Sequence, residues 1–95
     1  MKIGVIGLGS FGSHLVHELA ELGVEVLAVD QNEARVDLVK NDAAFACSMD
    51  VTDDTALARL PLNDLDAVVV TIGEDFRSAM LVTAHLLNLK PKRLV

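Results

Sequence analysis

The sequence contains little cysteine, few aromatic residues and little positive charge. Its single cysteine, Cys47, excludes an internal disulfide and cannot form a metal site by itself. There is no Trp or Tyr and only 3 Phe, so the hydrophobic 52% of the chain is mostly Val, Leu, Ile and Ala. Such a composition is typical of parallel strands covered by helices. We interpret Cys47 as a small, buried hydrophobic residue of a strand.

The scarcity of positive charge and of long apolar runs excludes further classes. The net charge is −6, and the 8 Lys and Arg form no cluster. Direct binding to nucleic acid or to an anionic membrane is not expected, because both need a positive surface. The apolar run at the start is too short for a signal peptide, and no run approaches the ~20 residues of a membrane span. We expect a soluble, cytoplasmic chain.

Short apolar runs alternate with segments of helical periodicity, without a repeat or a linker. This alternation predicts one α/β domain over residues 1–95, with a doubly wound, Rossmann-type parallel sheet in the order 3-2-1-4-5. Strands are expected at 2–7, 24–29, 43–48, 66–72 and 92–95, and helices at 11–22, 33–40, 53–60 and 74–89. Asn32 is predicted to cap the second helix, and Thr52 or Asp53 the third. The face of the first helix that packs on the sheet is expected to consist of Phe11, Leu15, Leu19 and Leu22.

A glycine motif follows the first predicted strand. Residues 7–12, GLGSFG, match G-x-G-x-x-G, open an amphipathic helix, and are followed by Asp30 at the end of the second strand. This full context predicts a site for a nucleotide pyrophosphate. Gly7 permits the tight turn, Gly9 lets the backbone approach the phosphates, and Gly12 lets the helix pack closely on the strand. We call residues 7–12 the glycine turn.

Asp30 is expected to accept hydrogen bonds from the ribose hydroxyls of an adenosine nucleotide. A 2′-phosphate would lie against its negative charge, which favours NAD, ATP or ADP over NADP. The residues alone leave a dinucleotide and a nucleoside di- or triphosphate open. The alternative interpretation makes the glycine turn a packing feature only and Asp30 a solvated acid of a turn.

Catalytic and metal-binding patterns are lacking. Ser10, Ser13 and Thr71 have no motif that would activate them as nucleophiles. His14 and His17 share the first helix, but zinc needs three or four ligands, so we interpret both as solvated and expect no metal. The sequence therefore predicts a binding module and not an enzyme.

With residues 49–52 (MDVT) and 70–75 (VTIGED) added to the glycine turn and Asp30, the chain resembles a known family. It is similar to the N-terminal nucleotide-binding domain of the Trk/Ktr potassium-uptake regulators, the KTN, RCK N-terminal or TrkA-N domain, over essentially its whole length. The resemblance implies a regulatory subunit or domain that senses NAD(H), ADP or ATP. It also implies gating of a membrane potassium transporter from the inner face of the membrane, by a homodimer or a larger ring.

The resemblance extends to individual residues of the site. The adenine-contacting acid of the family corresponds to Asp50, with Met49 in place of the usual glycine. Some members have Arg at the position of Ser10, where it reaches a terminal phosphate. A serine there moves the preference from ATP toward NAD(H), ADP or AMP. The expected nucleotide contacts are Gly7, Gly9, Ser10, Phe11, Gly12, Asp30, Gln31, Asp50, Val51, Thr71, Ile72, Gly73 and Glu74.

The family domain normally continues beyond strand five, so we expect this chain to lack a last strand and helix. The predicted helix at 74–89 is apolar over a wide arc, residues 76–87, which predicts a homodimer with Leu86 near its centre. Packing against a further part of the domain is the alternative use of that arc. Two other interpretations of the whole chain are the cofactor-binding half of an NAD-dependent oxidoreductase and a purely structural Rossmann fragment.

Overall fold

The computed structural model describes residues 1–71 and residue 95. In this part of the chain, strands and helices alternate as predicted. The elements are β1 (Lys2–Ile6), α1 (Ser10–Glu21), β2 (Glu25–Asp30), α2 (Glu33–Val39), β3 (Phe45–Ser48), α3 (Asp54–Ala58), a short 3-10 helix (Leu62–Asp64) and β4 (Ala67–Val70). None of the helices in the described part is long and apolar enough to cross a membrane.

The four strands form one parallel sheet in the order β3-β2-β1-β4. β1 is an inner strand, and its Ile6 pairs with Val29 of β2 on one side and with Val70 of β4 on the other. The chain therefore moves outward to β3 and then crosses back to the other side of β1. This order confirms the predicted Rossmann-type sheet over its first four strands.

Residue Val95 lies beside β4. Its N–H donates to the carbonyl of Val68 at 2.8 Å, and its carbonyl accepts from the N–H of Val70 at 2.9 Å. A fifth strand is expected at this position in the predicted order. The remainder of that strand, 92–94, and the predicted helix at 74–89 lie outside the described residues.

Each face of the sheet carries its own apolar cluster, because successive residues of a buried strand point to opposite faces. The cluster beneath α1 and α2 consists of Val5, Leu8, Val16, Val26, Ala28, Val36 and Val39. The cluster on the α3 face consists of Ile6, Leu27, Val29, Val51, Leu57, Leu60, Leu65 and Val68. Cys47 packs against the α3-face cluster but is half-buried, less than predicted, and burial raises the pKa of its thiol.

The predicted sheet-facing side of α1 is wrong at both ends. Phe11 is 69% exposed and Leu22, the residue after the helix, is 78% exposed. The fully buried residues of α1 are Gly12 and Val16. The helix is turned so that Gly12 lies against the carbonyl of Gly7 at the end of β1, and this contact directs Phe11 away from the sheet.

The predicted helix caps agree closely with the structure. The side chain of Asn32 accepts a hydrogen bond from the N–H of Ala34 at 2.9 Å, which confirms it as the cap of α2. Of the two candidates for α3, Asp53 is the cap, since its carboxylate accepts from the N–H of Thr55 at 2.9 Å. These short polar side chains satisfy amides that have no partner within the helix.

Candidate functional site

The glycine turn connects the end of β1 to the start of α1 and is hydrogen-bonded to both neighbouring strands. Gly7 has a φ of 100°, a left-handed conformation that side-chain-bearing residues rarely adopt. Its N–H donates to the carbonyl of Val29 at 2.8 Å, and its own carbonyl accepts from the hydroxyl of Thr71. The turn is therefore positioned from the ends of β2 and β4 at once.

Gly12 is required by packing within the protein. A Cβ at this position would overlap the carbonyl oxygen of Gly7 and would lie 2.6 Å from Oγ1 of Thr71. The prediction that Gly12 allows α1 to pack closely on β1 is confirmed.

Gly9 differs, because no contact within the protein requires a glycine there. A Cβ at Gly9 would meet nothing within 4 Å, and the backbone (φ −67°, ψ −165°) is accessible to any residue. Gly9 precedes the first residue of α1 and provides no side-chain cap for the amides of the first helical turn. Packing within the protein thus explains Gly12 and does not explain Gly9.

Asp30 is a buried acid that is bonded to the glycine turn. Its side chain is 7% exposed. Oδ2 accepts from the N–H of Leu8 at 2.7 Å, and Oδ1 accepts from the N–H of Asn32 at 2.8 Å. The alternative of a solvated turn acid is therefore wrong. Each carboxylate oxygen has a second acceptor position, so Asp30 retains capacity for two hydroxyl donors.

Arg35 is a neighbour of Asp30 that the sequence motifs do not identify. Its Nη1 lies 3.9 Å from Oδ2 of Asp30. The signal that could have revealed it is its place in the first turn of α2, which begins immediately after β2 and so lies above the end of that strand.

Asp50 follows β3, next to the end of β2, because the N–H of Met49 donates to the carbonyl of Asp30 at 3.1 Å. Its Oδ1 accepts from the hydroxyl of Thr52 at 2.6 Å and from the N–H of Thr52 at 3.0 Å. These two bonds hold the pKa of Asp50 below its ordinary value. The carboxylate is exposed and charged. The side chain of Val51, by contrast, is buried in the α3-face cluster, so only its backbone is available to a ligand.

The structure thus brings most of the predicted site residues to one edge of the sheet. Gly7, Gly9, Asp30 and Thr71 lie at the carboxyl ends of β1, β2 and β4, the edge at which parallel α/β sheets bind ligands. Ser10 and Phe11 are exposed in the first turn of α1, and Gln31 is exposed directly after Asp30. The predicted contacts Ile72, Gly73 and Glu74 lie outside the described residues.

Within residues 1–71, no group of three or more His, Cys, Asp or Glu side chains is arranged to hold a metal ion. Both histidines of α1 lie beside acidic side chains, and Nε2 of His17 lies 3.8 Å from Oε1 of Glu21. Nδ1 of His17 lies 3.3 Å from Oδ2 of Asp42, and this hydrogen bond raises the pKa of His17. His14 lies 3.6 Å from Glu18 on the same helix.

Comparison with known proteins finds relatives among potassium uptake proteins. The chain is 40% identical to Ktr system potassium uptake protein C of Bacillus subtilis over 93% of its own length and 40% of that protein. It is 39% identical to Ktr system potassium uptake protein A of Vibrio alginolyticus, over 86% of this chain and 37% of that protein. The chain therefore spans about two fifths of the length of these relatives.

Among solved structures, the fold is similar to the NAD(P)-binding domain of an exopolyphosphatase-related protein from Archaeoglobus fulgidus. The TM-score is 0.82 at 31% identity, over 93% of this chain and 65% of that one. The pattern of the TrkA-N domain matches residues 3–95, nearly the whole sequence. The chain belongs to the TrkA-N domain family.

Proposed function

We propose that this chain is a regulatory nucleotide-binding domain of a potassium uptake system. NAD(H) or ADP/ATP binds at the glycine turn and Asp30, and the bound nucleotide biases a membrane potassium transporter from its cytoplasmic side. The observation that carries the proposal is the open space at Gly9, beside a turn that Asp30 holds through Leu8. The names of the Ktr relatives and of the NAD(P)-binding domain from Archaeoglobus fulgidus support it.

The chemistry of the site suits a pyrophosphate joined to a ribose. The amides at the start of α1 and the positive end of that helix attract phosphate oxygens. Asp30 accepts the ribose hydroxyls with the acceptor positions that Leu8 and Asn32 leave free. Asp50, charged and exposed beyond β3, is the candidate for contact with the adenine.

A regulatory role needs a ligand that binds two geometries with different affinity. The turn is bonded to β2 through Val29 and to β4 through Thr71, so a nucleotide at the turn influences both sides of the sheet. We propose no catalytic step. The alternative, one half of an NAD-dependent oxidoreductase, is not favoured, because the relatives with 36–40% identity are potassium uptake proteins.

The isolated domain is expected to bind NAD(H) or ADP, and to bind NADP at least about tenfold more weakly, because the 2′-phosphate approaches Asp30. Isothermal titration calorimetry at one fixed ionic strength measures the dissociation constants. Asp30→Ala should weaken all adenosine nucleotides, since two charge-assisted hydrogen bonds are lost.

Because Asp30 also accepts from Leu8 and Asn32, the thermal stability of the Asp30→Ala variant is measured alongside its affinity. Asp37→Ala, an exposed acid of α2, is the matched control and should retain wild-type affinity. Equal affinity of the wild type for NAD and NADP would remove the ribose role from Asp30.

We further propose that the domain acts as a homodimer or as part of a larger ring, through the apolar arc of residues 76–87. This arc, including Leu86, lies outside the described residues, and the proposal rests on its sequence pattern. Leu86→Asp should produce monomers, because an unpaired carboxylate would be buried in the interface. Light scattering at tens of micromolar measures the mass.

Leu22→Asp is the control for that experiment, since Leu22 is already 78% exposed and its replacement should leave the mass unchanged. A monomeric wild type, or a Leu86→Asp variant that remains dimeric, would remove this arc from the interface.

A further inference from the structure

Arg35 is placed beside the ribose-binding acid by the backbone of α2. The carbonyl of Asn32 accepts from the N–H of Arg35 at 3.1 Å, and the N–H of Asn32 in turn donates to Oδ1 of Asp30 at 2.8 Å. The first turn of α2 is thus joined directly to the carboxylate of Asp30. The position of Arg35 follows from this connection, and the guanidinium reaches to 3.9 Å from Oδ2.

The two side chains differ in burial in a way that matters for a ligand. Asp30 is 7% exposed, whereas Arg35 is 39% exposed, so the side chain of Arg35 is the more accessible of the two. A ribose that bonds to Asp30 must enter next to this guanidinium. A substituent on the ribose would then lie within reach of a planar group whose N–H donors match the oxygens of a phosphate.

We propose that Arg35 is the residue that sets how strongly this site discriminates between adenine nucleotides with a ribose 2′-hydroxyl and those with a 2′-phosphate. The inference rests on the proposed function and deepens it. Asp30 repels the 2′-phosphate, and Arg35 attracts it from the adjacent position. The site therefore accepts 2′-phosphorylated adenine nucleotides as weaker ligands, because the repulsion by Asp30 is partly cancelled.

The ratio of the dissociation constants of NADP and NAD isolates this effect. Both nucleotides carry the same pyrophosphate, so a change in how the glycine turn holds the pyrophosphate cancels in the ratio. A general loss of positive charge does not cancel, because NADP carries the additional 2′-phosphate, and a control variant measures that contribution. Arg35→Gln should raise the ratio by about two- to fivefold, the range expected for one partly exposed charge pair. The increase should shrink at high salt, because the attraction is screened.

Lys40→Gln is the matched control: it removes one positive charge from the residue that follows the same helix, at the end far from Asp30. The ratio for this variant should equal that of the wild type. Arg35→Lys should give an intermediate ratio, since it keeps the charge but loses the planar fork of donors. Circular dichroism and thermal unfolding of each variant verify that the site is still folded.

Each outcome of the titrations has a distinct meaning. An unchanged ratio in a folded Arg35→Gln variant overturns the role of Arg35, as does an equal increase in Arg35→Gln and Lys40→Gln. A wild type that binds none of NAD, NADP, ADP and ATP overturns the proposed function, and the inference with it. A wild type that binds only ADP or ATP overturns the inference and leaves the proposed function standing. A wild type that binds NAD, together with an increase confined to Arg35→Gln, supports both.

Discussion

Gly12→Ala is expected to lower the free energy of unfolding by about 3 kcal/mol or more, at the upper end of the cost of overpacking. The added Cβ would overlap the carbonyl oxygen of Gly7, and that carbonyl cannot retreat easily. Gly7 has a left-handed backbone, is bonded through its N–H to Val29, and accepts the hydroxyl of Thr71. The helix α1 would have to move away from the sheet, which opens the contacts of Val16 beneath it.

Thermal or denaturant unfolding followed by circular dichroism measures this loss, which corresponds to a fall in melting temperature of roughly 12 °C or more for a domain of this size. Alanine favours a helix over glycine by about 1 kcal/mol, so a net loss of stability in Gly12→Ala shows that packing outweighs helix propensity.

Gly4→Ala in β1 is the matched control. The atom closest to a Cβ at Gly4 is Cδ1 of Leu65, at 2.9 Å, which is the end of a flexible side chain. Gly4→Ala should therefore lower the free energy of unfolding by about 1 kcal/mol or less. Thr71→Ala should not restore the stability of Gly12→Ala, because the backbone overlap with Gly7 remains. A Gly12→Ala protein as stable as the wild type would contradict the packing role of this glycine.

Gly9→Val is expected to abolish nucleotide binding, by about a hundredfold or more in affinity, while the domain remains folded. The valine side chain meets no atom of the protein within 4 Å of its Cβ, so the structure accommodates it. It would instead fill the space in which a pyrophosphate approaches the backbone of the glycine turn. A valine in place of glycine before the first helical residue should lower the free energy of unfolding by only about 1 kcal/mol.

Calorimetric titration with NAD and ADP measures the affinity, and the melting temperature reports the fold. Gly9→Ala provides a graded comparison, since its single methyl group obstructs less space and should weaken binding less than valine. A folded Gly9→Val variant with wild-type affinity would show that ligands do not approach the turn at Gly9, and the proposed site would then be untenable.

The roles of Gly7 and Gly12 could be predicted because they depend on local backbone geometry, and the order of the sheet because right-handed crossovers between parallel strands restrict it. Gly7 needs a conformation that only glycine adopts readily, and Gly12 lies against it although it is only a few residues later in the chain. Asn32 likewise caps α2 with atoms two residues away. Such requirements involve short distances along the chain, so the sequence pattern contains them.

The features that could not be predicted depend on how elements are rotated against one another. Periodicity indicates that α1 has an apolar face, but the contact at Gly12 decides that Phe11 and Leu22 lie outside it. The same holds for the contact between Asp30 and Leu8. This hydrogen bond joins the end of β2 to the glycine turn, and a motif that assigns Asp30 to a ribose does not reveal it. The approach of Arg35 to Asp30 also depends on this packing.

The pairing of β1 with β4 has a consequence for the order in which the domain is completed during synthesis. Ile3 pairs with Ala67 and Ile6 with Val70, so β1 is synthesised well before its second neighbour in the sheet. At typical elongation rates, the carbonyl of Gly7 is made several seconds, roughly 3 to 13, before Thr71. Until then that carbonyl lacks the hydroxyl that it accepts in the folded domain. The glycine turn is therefore made before β2, α2 and β3 but reaches its final hydrogen bonding only after residue 71 has been added.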